Sequence, residues 1–246
     1  MAHGAIRVGI GGWTFPEWRG VFYPPGLPHA RELEHAAGRV QAIEINATFY
    51  KTQSADCFRR WAAATPDDFT FTIKGSRFCT NRRILGEAGE GIERFLAQGL
   101  TELGDKLGPV MWQLAAIKRF EPDDLAVFLA LLPSSRDGVR LRHAIEVKHE
   151  SFNDPAFFAL ARAHDVAVVR LDPAPFPYEA TAGFTYARLQ AMRDDEPAGY
   201  DAGSLDSWAG EARTAAATGD VFMFAINGAK IRAPAAAQAL IARLRP

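Results

Sequence analysis

Short apolar runs rich in β-branched and aromatic residues recur along the chain, each followed by a polar or helix-patterned stretch. They occupy 6–10, 40–45, 69–73, 110–114, 144–147, 166–171, 184–189 and 221–226. Helix signals fill most of the gaps. Ser54 can cap a helix through Phe58 and Trp61, and Ile92, Phe95, Leu96, Leu100 and Leu103 mark a longer one. Pro122 stands where a first helical turn tolerates it, ahead of Leu125, Phe128, Leu129 and Leu132. Asp154-Pro155 opens a helix through Phe157, Phe158 and Leu160, Ser204 or Asp206 can cap 208–217, and 235–244 closes the chain. Strands alternating with helices predict parallel pairing through right-handed crossovers. Eight such units predict an α/β fold, a single TIM-type (βα)8 barrel over 1–246. A doubly wound sheet is the alternative. The stretch 173–183 is Pro-rich and lacks a helical period, so a loop is expected to replace the sixth helix. That loop and the aromatic segment 11–30 are expected over the barrel mouth.

Within each run, side chains alternate between two faces. Residues facing the helices should be apolar, and those facing the axis can turn polar near the C-terminal mouth. This rule selects Glu44 and Asn46, Thr72 and Lys74, Gln113, Glu146 and Lys148, Arg170 and Asp172, and Arg188. It also places Gly9, Gly11 and Trp13 of the first run, and Met223, Ala225 and Asn227 of the eighth, on the axial face. Polar groups from separate strands therefore converge at one end.

Composition narrows the function. The chain has 246 residues, 48% hydrophobic and 23% charged, which suits a globular protein that needs no disulfide or metal staple. A net charge of −1 disfavours nucleic-acid binding through bulk charge but leaves room for a local basic pocket. The two cysteines, Cys57 and Cys79, form no CxxC pair, so neither a zinc knuckle nor a disulfide framework is expected. Cys79 lies among Arg77, Arg82 and Arg83, which makes it a weak nucleophile candidate. No apolar run approaches the roughly 18 residues that span a bilayer, so no membrane partner is expected. Met1-Ala2-His3-Gly4 carries no signal-peptide pattern, and a cytoplasmic location is the expectation.

Two carboxylates from different strands, Glu44 and Glu146, can divide acid and base roles when their surroundings separate their pKa values. Lys74, Lys148 and the arginines can bind a phosphate or carboxylate. The opposing explanation is an internal network in which cations only neutralise buried carboxylates. The histidines do not converge on the mouth, so no metal and no other cofactor is expected. His149 falls on the opposite face from Lys148. Trp13, nearest the strand end, is a candidate to stack on a ligand, whereas Trp18, Phe22 and Tyr23 are expected to pin their loop by burial.

Several stretches resemble the YecE-like family, known as domain of unknown function 72. They are Gly11-Gly12-Trp13 with Trp18, Phe22-Tyr23-Pro24, Glu44-Ile45-Asn46-Ala47-Thr48-Phe49-Tyr50 and Phe71-Thr72-Ile73-Lys74. Further along come Trp112-Gln113-Leu114, Glu146-Val147-Lys148-His149, Arg188-Leu189 and Asn227. The resemblance implies a TIM-type barrel and no established activity, and its motifs add Tyr50 and His149 to the candidate ligand contacts. The chain departs from the family pattern at Asn81 and Gln190, where histidines would be expected, at Ala115-Ala116 in place of prolines, and at Ile226 beside Asn227.

The expectation from these residues is an enzyme acting on a small phosphorylated or carboxylated molecule. Glu44, Glu146 and Lys74 are its catalytic candidates. Trp13, Asn46, Tyr50, Gln113, His149, Arg188 and Asn227 are its substrate-binding candidates. Two alternatives remain open: a metal-dependent phosphodiesterase or nuclease, and a non-catalytic protein that binds a nucleotide or a nucleic-acid end. Nucleic acid is the less favoured partner.

Overall fold

A computed structural model describes residues 3–245. Met1, Ala2 and Pro246, the ends of the expected 1–246 domain, lie outside the described residues. Among the described residues nine parallel strands form one sheet: β1 (Ile6–Gly11), β2 (Ala42–Ile45), β3 (Thr70–Lys74), β4 (Leu107–Gln113), β7 (His143–Glu146), β8 (Val166–Val168), β9 (Arg170–Asp172), β10 (Phe184–Leu189) and β11 (Asp220–Ala225). A small antiparallel hairpin, β5 (Ser135–Arg136) and β6 (Val139–Arg140), stands apart. The order β8-β7-β4-β3-β2-β1-β11-β10-β9 ends on two half-strands separated by Val169 alone. One half pairs with β7 and the other with β10, so the sheet curls into a nearly closed barrel with its seam at this sixth strand position.

Helices lie between the strands: α1 (Glu32–Ala37), α2 (Ala47–Tyr50), α3 (Ala55–Ala63), α4 (Arg77–Thr80), α5 (Gly89–Leu96), α6 (Pro122–Ala130), α7 (Pro155–Ala163), α8 (Ala202–Ala216) and α9 (Ala233–Leu244). Their starts follow local chemistry. Ser54 Oγ accepts from Cys57 N at 3.3 Å to cap α3, Asp154 Oδ1 accepts from Ala156 N at 2.8 Å to cap α7, and Pro122 occupies the first turn of α6. α8 begins earlier than expected, because Asp201 and not Ser204 or Asp206 is the cap; its Oδ1 accepts from Ser204 N at 2.8 Å.

No helix forms between β9 and β10, as the prolines require. The replacement loop does not cover the mouth. Phe176 packs on Phe158 of α7, Glu179 pairs with Arg162, and Thr181 Oγ1 bonds Val168 N at 2.9 Å and Val166 O at 2.7 Å. The loop therefore runs along the outside of the split strand. The 11–30 segment is pinned by burial: Trp18 and Tyr23 are inaccessible, Trp18 Nε1 donates to Lys230 O at 2.8 Å, and Tyr23 OH donates to Trp13 O at 2.5 Å.

Inside the barrel lie Ala42, Met111, Ala144, Ala167, Val169, Leu171, Phe184, Tyr186, Phe222 and Phe224. Large and small side chains alternate so that the tapering space is filled. At Gly9 a Cβ would come within 1.9 Å of Ala42 O, so only glycine admits the close approach of β1 to β2. This lining corrects the expected faces of two strands. In the sixth position Ala167, Val169 and Leu171 point inward, and Arg170 and Asp172 outward. In β11 Phe222 and Phe224 point inward, while Val221 and Met223 face α8. Both corrections have packing causes. With no sixth helix, the outer face of β9 meets polar partners, so the apolar residues turn in. Around β11, the small residues Gly9, Gly11 and Ala42 leave interior volume that only large rings fill.

Candidate functional site

The C-terminal ends of β2, β3, β4, β7 and β10 bring Glu44, Lys74, Gln113, Glu146 and Arg188 together. The alternation of each strand sends these side chains inward. At the centre is Arg188, 1% exposed. Its Nε donates to Glu44 Oε2 and its Nη2 to Glu44 Oε1, both at 3.0 Å, a two-pronged pairing that only a guanidinium can make. Its Nη1 donates to Glu146 Oε2. Glu146 Oε1 accepts from Gln113 Nε2 at 2.7 Å and lies 3.5 Å from Lys148 Nζ. Glu44 Oε2 accepts a further bond from Tyr186 OH at 2.7 Å, and that hydroxyl lies 2.9 Å from Thr72 Oγ1. Both carboxylates are fully buried and fully engaged.

Burial alone would raise the Glu146 pKa. Arg188, Lys148 and the Gln113 amide outweigh it, so the carboxyl is held below its ordinary range. The Tyr186 phenol is pushed well up, first by burial and then by the charge of Glu44. It therefore stays protonated and donates.

Lys74 differs from every other cation of the group. It is 8% exposed, and its Nζ rests 4.2 Å from the centre of the Phe49 ring. Among the described residues this ammonium makes no hydrogen bond and no ion pair. Burial is the largest cause of a lowered pKa; Glu44 opposes the shift, and Arg188 adds to it. The Glu44 to Tyr50 stretch builds this arrangement. Glu44 anchors the ion triad. Thr48 Oγ1 then bonds Lys74 O at 2.7 Å and Ile45 O at 3.1 Å, fixing the end of β3. Phe49 supplies the face beneath the amine.

Other expected contacts lie elsewhere. The Trp13 ring packs edge-on against Trp61 at 5.3 Å and Phe71 at 6.5 Å, both in the outer layer, so it anchors its loop. Tyr50 is 59% exposed and packs edge-on against Phe49 on the outside of the rim. His149 Nδ1 accepts from Ser151 N at 3.1 Å and caps a short 3-10 turn. Asn227 is exposed in a left-handed turn with φ 63°. In its place Ile226 reaches the axis: a Cβ on Gly11 would lie 2.3 Å from Ile226 Cδ1. Asn46 stays at the mouth, its Nδ2 donating to Glu44 O at 3.3 Å. Arg170 pairs with Glu211 and lies over the Trp208 ring outside the barrel, and Asp172 accepts from Tyr200 OH at 2.6 Å. With those two residues removed, three cations (Lys74, Lys148, Arg188) face two carboxylates, and one positive charge remains uncompensated. Cys79 is buried, and burial pushes its thiol up to about 11, against the small opposing effect of Arg82. Such a thiol is no nucleophile at neutral pH.

The sequence reading missed Tyr186 and Gln190. Both were accessible by the same alternation, two residues before and after Arg188. Gln190 has a buried Nε2 with no hydrogen-bond partner among the described residues. Among the described residues no three His, Cys, Asp or Glu side chains come together in a way that could hold a metal ion. No helix among them is long and apolar enough to cross a membrane.

The family described as Protein of unknown function DUF72 matches residues 7–246. A crystal structure of a DUF72 family protein from Thermotoga maritima MSB8 is similar at a TM-score of 0.78 and 20% identity, over 98% of each chain. A second, of a DUF72 family protein from Enterococcus faecalis V583, has a TM-score of 0.73 and 15% identity, over 97% of this chain and 95% of that one. In sequence, the UPF0759 protein YunF of Bacillus subtilis (strain 168) is 27% identical over 78 residues. That match takes in 32% of this chain and 27% of the relative's length.

Proposed function

We propose that this chain, which belongs to the DUF72 family, binds a small phosphorylated or carboxylated molecule at the C-terminal mouth of its barrel and moves a proton on it through Lys74. The observation that carries this reading is the Lys74 amine, buried against Phe49 without a hydrogen-bond partner among the described residues. A buried cation left unpaired is unfavourable for the protein alone, and an anionic ligand relieves it. Lys148, 37% exposed beside Glu146, is placed to share the charge, and the Gln190 amide offers a donor. Glu44, Glu146 and Arg188 supply the fixed frame. Because Arg188 already holds both carboxylates, neither carboxylate is free to bind a metal, which weighs against the metal-dependent phosphodiesterase reading.

Titration calorimetry with inorganic phosphate tests the proposal on wild type and Lys74→Met. A charge-assisted hydrogen bond contributes about 1.5–3 kcal/mol, so the variant should bind roughly ten- to a hundredfold more weakly. Equal affinity in the two proteins would overturn it.

A further inference from the structure

The chain has six lysines, and their surroundings differ. Lys106 Nζ donates to Ala62 O at 2.6 Å and Thr65 O at 2.7 Å. Lys118 Nζ donates to Arg83 O at 2.6 Å and Asp124 Oδ2 at 2.9 Å. Lys148 lies beside Glu146, Lys230 sits partly exposed over Phe15, and Lys51 is exposed. Among the described residues only Lys74 combines burial with an amine free of polar partners, at the barrel end where side chains from five strands converge.

We infer that Lys74 is a nucleophilic amine that condenses with the carbonyl carbon of a small anionic carbonyl compound bound at the mouth, forming an imine. This rests on the reading of the mouth as an anion site. An ammonium has no lone pair, so the reaction needs the neutral amine, and a desolvated lysine beside other cations is the usual means of producing it. Each requirement is present. Phe49 and the surrounding burial strip water from Nζ, and Arg188 and Lys148 add like charge. Glu44 and Glu146 act in the opposite sense, but the oxygens of Glu44 are committed to Arg188 and Tyr186, those of Glu146 to Arg188 and Gln113, and neither carboxylate pairs with Lys74. Lys148 remains for the carboxylate or phosphate of the same molecule.

The step balances without an outside oxidant or reductant. The amine lone pair forms the N–C bond as the C=O bond opens. Both amine hydrogens leave with the carbonyl oxygen as water, and the C=N bond remains. Protonated, that imine draws electrons from the neighbouring carbon, which is what a proton transfer or carbon–carbon cleavage there requires. The positive charge stays where Lys74 carried it, within the field of Glu44 and Glu146.

The test uses the wild-type chain at neutral pH with pyruvate or dihydroxyacetone phosphate, each with sodium cyanoborohydride, followed by peptide mass mapping. The reduced adduct should lie on Lys74 in preference to Lys51, since a lowered pKa leaves more of the amine free at neutral pH. Labelling governed by exposure would favour Lys51 instead. Lys74→Arg, which keeps a cation and removes the primary amine, should abolish the principal adduct. Adducts confined to exposed lysines, or none with either compound, overturn the inference. If wild type still binds phosphate through Lys74 in that case, the imine fails alone; if Lys74→Met also leaves phosphate binding unchanged, the anion-site reading fails with it.

Discussion

Replacing Arg188 by methionine leaves two fully buried carboxylates facing each other with their common counter-ion gone. Breaking one buried ion pair in this way costs about 3–5 kcal/mol, because the remaining charge keeps its desolvation penalty and loses its compensation. Arg188 serves Glu44 through two hydrogen bonds and Glu146 through a third, so the loss belongs at the upper end of that range. For a chain of this size 1 kcal/mol moves the melting temperature by about 2 °C, so Arg188→Met should melt about 10 °C below wild type at pH 7. The deficit should narrow as the pH falls to 5. In wild type, ionised Glu146 has a lowered folded pKa and contributes stability above its unfolded pKa, about 4.3, which is lost as the pH falls through the folded value. In the variant the largest opponent of burial is absent, the carboxyl pKa rises, and acid neutralises it. Glu44→Gln in the same chain should recover part of the loss at pH 7. Calorimetric melts at both pH values, with phosphate titrations on the same samples, decide the matter. A shift under about 2 °C together with lost phosphate binding would refute the counter-ion role and return Arg188 to the ligand contacts.

Three further outcomes follow from the buried groups. Lys74→Met should raise the melting temperature at pH 7 while weakening phosphate binding, because the lowered lysine pKa means its surroundings disfavour the charge; unchanged or lower stability would contradict this. Burial holds the His143 imidazole neutral against the smaller effect of its bond to Pro133 O, so stability should fall as pH drops below about 6.5, where the unfolded chain takes up the proton. His143→Gln should flatten that part of the stability–pH curve. Cys57, partly accessible, should react with iodoacetamide in the native protein while Cys79 stays unlabelled until the chain unfolds.

The alternation of polar and apolar residues was enough to bring Glu44, Lys74, Gln113, Glu146 and Arg188 to one place, because each lies on a strand covered by a helix. There the outer face must be apolar, and a polar residue near the strand end can only point inward. The rule failed at β9 because its premise failed. The missing sixth helix leaves the outer face of Arg170 and Asp172 open to Glu211 and Tyr200. It failed at β11 because both faces are apolar, and the choice between Met223 and Phe224 depends on volume left by glycines of a neighbouring strand. Trp13 and His149 sit just past strand ends, where the period of two no longer applies. An internal charge network was one of the two readings open from the sequence, but the partnering of Arg188 with both carboxylates was not legible, since a period of two assigns a face and says nothing of which charge meets which.

The split strand has a mechanical consequence. At the seam each half is only three residues long and pairs on one side, so the backbone ladder is at its thinnest between β7 and β10. Glu146 lies at the end of β7 and Arg188 near the end of β10, so their ion pair crosses this gap from the inside. It works as a clasp. Any breathing that parts β7 from β10 must first separate opposite charges in a dry interior, and a ligand that drew Glu146 away from Arg188 would loosen the wall at its weakest staves.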